Sequence, residues 1–91
     1  MLIRELTCVV QVKSYVGELR DTGAVQDIGR AFEYYREKGT EPDMGLIVST
    51  ASTSTDVFDK AKSELQERTG KSVHLLIGKA LTEFVLRFYR G

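Results

Sequence analysis

Gln11 and Lys13 stand two residues apart in "TCVVQVKSY", a stretch otherwise rich in strand-forming residues. In an extended chain alternate side chains share a face, so the amide and the ammonium point the same way with Cα atoms about 6 to 7 Å apart. At that spacing an amide oxygen and a cation can address one bound ion or phosphate together. Alternation puts Leu6, Cys8, Val10 and Val12 on the opposite face, which is apolar throughout. Ser49 and Thr50, at the end of a second apolar run, could donate hydrogen bonds to a phosphate, although such residues more often cap helices or shape turns.

The elements that would position these groups follow from periodicity. Residues 6–14 alternate as a strand. Asp21 or Thr22 can then cap a helix in which Val25, Ile28, Phe32 and Tyr35 recur at helical spacing before Gly39 and Pro42. "MGLIVST" (Met44 to Thr50) is a short continuous apolar run, the pattern of a strand covered on both faces. Ser54 or Thr55 can cap a second helix with Val57, Phe58, Ala61 and Leu65 inward, stopped near Gly70. "SVHLLIG" (Ser72 to Gly78) reads as a further buried strand, and Leu81, Phe84, Val85 and Phe88 form a stripe on a last helix. The order βαβαβα, with crossover helices between strands, predicts an α/β three-layer sandwich with a small, mostly parallel sheet. Such a sheet has two open edges that a compact protein normally covers or pairs.

Composition narrows the function classes. The chain has 91 residues, 42% hydrophobic, which predicts one domain over 1–91. Its single cysteine, Cys8, excludes an internal disulfide framework and a Cys-based zinc cluster. Thirteen basic and thirteen acidic residues cancel, so a polyanionic partner would need local charge or a metal. No apolar run approaches the roughly 20 residues of a membrane span, and Arg4 and Glu5 break any secretory leader, so the expected compartment is cytoplasmic.

"VVQVKSY" followed by a helix, then "GLIVSTASTSTDVFDKA", then "HLLIGKAL", resembles the C-terminal portion of an Mrr-type restriction endonuclease domain of the PD-(D/E)xK nuclease superfamily. In that family Gln often replaces the acidic residue before x-Lys. The resemblance runs from about Leu6 to Tyr89 and implies a restriction-endonuclease-like half-core that cuts DNA with Mg²⁺. It makes Gln11 a catalytic metal ligand beside an Asp on a preceding strand, the ion polarising the scissile phosphate and activating water. Lys13 would hold that water or offset charge building on the phosphoryl oxygens.

At one point the chain departs from the family pattern: no Asp precedes Gln11. Glu5 shares the Gln11 face, but six residues of extended chain amount to about 20 Å, too far to share an ion. Three explanations stand open: a longer nuclease supplies the missing segment, another subunit supplies the carboxylate, or the chain no longer cuts. An N-terminal truncation would also explain the undersized sheet, and it predicts weak Mg²⁺ binding and pairing with a second copy through the open edge. The competing class is a non-catalytic α/β interaction module that dimerises through that edge, with Gln11 and Lys13 as solvated strand-end groups.

Other residues carry less. Glu18 and Asp21 suit capping and solvation better than metal binding. His74 has no triad partners at recognisable spacing, and Cys8 sits among apolar residues as a small hydrophobe. Tyr34, Tyr35, Phe84, Phe88 and Tyr89 have the helical spacing of core residues rather than of a base-stacking platform. Neither G-x-G-x-x-G nor a Walker sequence is present.

Overall fold

The structure is a computed structural model and describes residues 6–88, with side chains to residue 87. Its elements are β1 (Cys8–Lys13), β2 (Glu18–Leu19), α1 (Gly23–Glu37), β3 (Met44–Ser49), β4 (Thr53–Ser54), α2 (Asp56–Thr69), β5 (Ser72–Leu76) and α3 (Gly78–Phe88). β1, β3 and β5 form a three-stranded parallel sheet in the order β1-β3-β5, with Val9, Gly45 and Val73 in register across it. β2 and β4 make a separate parallel pair of two residues each.

Local chemistry sets the helix ends. Thr55 precedes α2 in an extended conformation and its side chain accepts the Phe58 N–H at 3.3 Å, while the Gly70 N–H closes the helix on the Gln66 carbonyl. At the start of α1, Thr22 makes no side-chain cap. Asp21 does the work from one residue earlier, its Oδ1 accepting the Gly23 N–H at 2.8 Å.

Both crossovers advance across the sheet in one direction, so their common hand lays α1 and α2 on the same face. The core lies between that face and the helices: Val9, Ile47 and Val73 from the strands meet Val25, Ile28 and Phe32 of α1 and Phe58 and Leu65 of α2. Gly45 has no side chain because none fits, since a Cβ there would stand 2.8 Å from Ile28 Cγ2 and 3.1 Å from Phe32 Cζ. Phe32 thus already covers the amino end of β3. Tyr35, almost one turn further on, is exposed, which ends the expected stripe at Phe32. Val57, also expected inward, is exposed at the start of α2.

α3 begins the third layer. Ala80, Glu83, Phe84 and Arg87 line a hollow of about 220 Å³ with Leu76, which lies on the sheet face opposite α1 and α2. The remainder of that face is bare among the described residues: Val10 is 52% exposed and Val12 70%. β3 is therefore fully covered on one side only, with Met44, Leu46 and Val48 half-buried on the other, while on β5 the helix side carries buried Val73 and half-buried Leu75. Phe84 and Val85 of the α3 stripe are likewise exposed rather than in the core, and the Phe88 side chain and Tyr89 lie outside the description.

The two sheet edges differ. On β5 the outward N–H of Val73 donates to Gln66 Oε1 at 2.8 Å, and its carbonyl accepts from Lys62 Nζ at 3.3 Å, so side chains of α2 occupy that edge. On β1, strand pairing with β3 occupies one edge, and the other carries no strand among the described residues.

Candidate functional site

A helix that follows a strand across a parallel sheet starts above that strand's carboxyl end. α1 therefore begins over the end of β1 where Gln11 and Lys13 emerge, on the side that carries buried Val9. Lys13 Nζ lies 3.2 Å from Asp27 Oδ2, each side chain about a third exposed (32% and 33%). Asp27 Oδ1 also faces Arg30 Nη1 at 3.4 Å. Gln11, half-buried and level with Ile47 of β3, has no hydrogen-bonded partner for its amide among the described residues. The two groups thus share a face, but only Lys13 has a fixed polar neighbour.

Asp27 was not singled out by the sequence. Its signal lies in spacing: it is three residues after Ala24 and four before Ala31, on the sheet-facing border of an otherwise apolar stripe. An ammonium has three donors, so one bond to Asp27 leaves others for an incoming oxyanion.

Ser49 and Thr50 have structural tasks. Ser49 is 1% exposed, and its Oγ accepts the Ala51 N–H at 3.2 Å. Thr50 Oγ1 accepts the Tyr15 N–H and donates to the Tyr15 carbonyl, both at 2.9 Å, joining the loops after β1 and β3. That seam continues with the Ser52 N–H to the Gly17 carbonyl (2.8 Å), the Thr55 Oγ1 to the Leu19 carbonyl (3.1 Å) and the Gly78 N–H to the Ala51 carbonyl (3.0 Å). The carboxyl ends of the strands are therefore roofed by loops hydrogen-bonded to one another, and the β2–β4 pair is part of that roof. Strands of two residues show no period, so the sequence could not announce them.

Of the remaining candidates, Asp21 caps α1 and Glu18 pairs with Arg20 at 3.4 Å. Glu5 lies outside the described residues. His74 is exposed on the sheet face opposite α1 and α2. Cys8 shares that face, and partial burial pushes its thiol pKa up, away from the reactive thiolate. Two hollows of about 370 and 320 Å³ open between α1 and α2, but Arg68 lines both and neither includes Gln11 or Lys13.

The donor set falls short of a metal centre. Among the described residues no group of three or more His, Cys, Asp or Glu side chains could hold a metal ion. At Gln11 the chain offers one neutral oxygen, and the nearby carboxylate of Asp27 is already engaged by two cations. A hard dication needs more anionic oxygen than this, so these residues by themselves do not fit Mg²⁺.

Comparisons with family models, curated proteins and solved structures gave no match. No helix among the described residues is long and apolar enough to cross a membrane.

Proposed function

We propose that the chain forms the Gln11/Lys13 half of a DNA endonuclease site of Mrr type, completed by a carboxylate on a further strand beside β1. The observation that carries this reading is the asymmetry of the sheet edges: α2 side chains block β5, whereas β1, the strand bearing Gln11 and Lys13, carries no strand on its outer edge among the described residues. A strand added there would bring its side chains about 5 Å from those of β1, which is ligand-sharing distance. Lys13 would supply positive charge toward a phosphodiester oxygen, with Asp27 holding the ammonium until substrate arrives. Gln11, with no hydrogen-bonded partner for its amide among the described residues, is free to turn its amide oxygen toward the same point. Magnesium dependence would enter only with the added carboxylate.

The test compares plasmid cleavage, with Mg²⁺ titrated, by the 91-residue chain and by a version extended upstream in its natural reading frame. The reading expects an Asp about 10 to 20 residues before Gln11, one hairpin away. It expects cleavage by the extended protein and none by the shorter chain. An extended protein that carries such an Asp, folds and does not cut refutes it.

A non-catalytic interaction module is the second reading, and the apolar face of the sheet that is bare among the described residues favours it. Efficient cleavage by the extended protein would eliminate that alternative.

A further inference from the structure

The sheet face opposite α1 and α2 is built like the inside of a protein. Its positions in register are Cys8, Val10 and Val12 on β1, Met44, Leu46 and Val48 on β3, and Ser72, His74 and Leu76 on β5. None is Asp, Glu, Lys or Arg. Leu6 continues the row at 67% exposure, and Phe84 links the face to α3 by lining the hollow beside Leu76 while belonging to the helix's apolar stripe. The molecule is correspondingly thin, with Cα extents of 37 × 36 × 18 Å.

We infer that this face, rather than the strand edge, is where a second copy of the chain docks, sheet against sheet about a two-fold axis. Three features favour a copy of itself over a different partner. The strand positions of the face carry no fixed charge, so a two-fold axis through them brings no like charges together, and Glu83 and Arg87 beside the α3 hollow are opposite in sign, which suits an isologous contact. The formal net charge of the whole chain is zero, so two copies approach without long-range repulsion. The size also fits. Three strands of five or six residues cover about 15 × 20 Å, and the flank of α3 adds a strip about 16 Å long. That is on the order of 500 Å² in projection, and surface relief raises it toward the roughly 800 Å² per partner of an ordinary dimer. An apolar area this large, bare among the described residues, also lies at the upper limit for a soluble monomer. The inference concerns the chain as a folded object and does not depend on whether it cuts DNA.

The experiment is sedimentation velocity of the 91-residue chain over a wide concentration range, with Val12→Glu and His74→Asp alongside. Both residues are exposed in the single chain, so either substitution leaves its core untouched, as circular dichroism will verify. The expected result is a discrete species of twice the 10.2 kDa chain mass that both variants weaken, on the order of a hundredfold, by placing unpaired charge in the contact. His74 lies on the strand farthest from the open β1 edge. A dimer that His74→Asp leaves intact therefore pairs by its edges and overturns the inference, as does a chain that stays monomeric or forms only polydisperse aggregates. Alkylation of Cys8 gives a reading that needs no variant: its rate should fall as the protein concentration rises, and a rate independent of concentration counts against docking on this face.

Discussion

Replacing Lys13 by Met separates what this residue does for the fold from what it does for chemistry. Two unit charges at 3.2 Å attract by about 5 kcal/mol at an effective dielectric constant near 20 and by about 1.3 kcal/mol in water. Both side chains are about a third exposed (32% and 33%), so screening, desolvation and lost side-chain freedom reduce the net worth of the pair to roughly 0 to 1 kcal/mol. Methionine keeps most of the aliphatic stem, and Asp27 retains Arg30 at 3.4 Å, so no charge is orphaned. The expected fall in melting temperature is at most about 4 to 8 °C for a domain of this size. Activity should respond on another scale. If the ammonium faces a phosphoryl oxygen in the transition state, its removal from the upstream-extended protein should slow plasmid nicking by about a hundredfold to a thousandfold or more. Thermal unfolding followed by circular dichroism gives the first number and single-turnover nicking the second. Nicking that survives the substitution refutes the role given to Lys13. A stability loss above about 2 kcal/mol refutes the claim that the pair matters little to the fold.

Two further predictions concern the framework, one at each end of the sheet. Gly78 has φ +54°, and a Cβ there would lie 2.6 Å from the Ser52 carbonyl oxygen, so Gly78→Ala should cost at least about 1 to 2 kcal/mol in urea unfolding; a change under about 0.5 kcal/mol would be inconsistent with the roof of loops described above. Glu41 is held below the usual carboxylate range, first by its hydrogen bond from Lys71 and further by Arg36. A lowered folded-state pKa means the contribution is complete where the group is ionised in both states and is lost as pH falls through the lowered value. Glu41→Gln should therefore reduce stability at neutral pH and flatten the decline below the ordinary glutamate range. Denaturant midpoints measured from neutral pH downward test this, and an unchanged acid slope would argue against it.

Much of the architecture is legible without coordinates because the interactions that write it are local. The helices announce themselves by a 3.6-residue period, and Thr55 and Gly70 mark the ends of α2 through bonds that reach no further than four residues. The parallel orientation of the strands follows from connection length, since a strand, a helix and a second strand can join one sheet in few ways. Alternation likewise puts Gln11 and Lys13 on one face of β1, and the structure keeps them there.

Which face of β1 meets the helices is not a local property. Alternation sorts Cys8, Val10 and Val12 from Val9, Gln11 and Lys13, but the handed crossovers decide that α1 and α2 cover the second set and leave the first bare. The same long-range geometry brings Asp27 to Lys13 from fourteen positions away in the chain and binds Ser49 and Thr50 into loop contacts. It also seals one sheet edge with Gln66 and Lys62 while β1 keeps an edge with no strand beside it among the described residues. The sequence by itself determined the three strands of the main sheet, the three helices, their order and the caps of α2, because those depend on neighbours within a turn or two. Only the tertiary structure decided which side of the sheet is covered and what each polar group touches, because those depend on how handed connections stack distant segments in space.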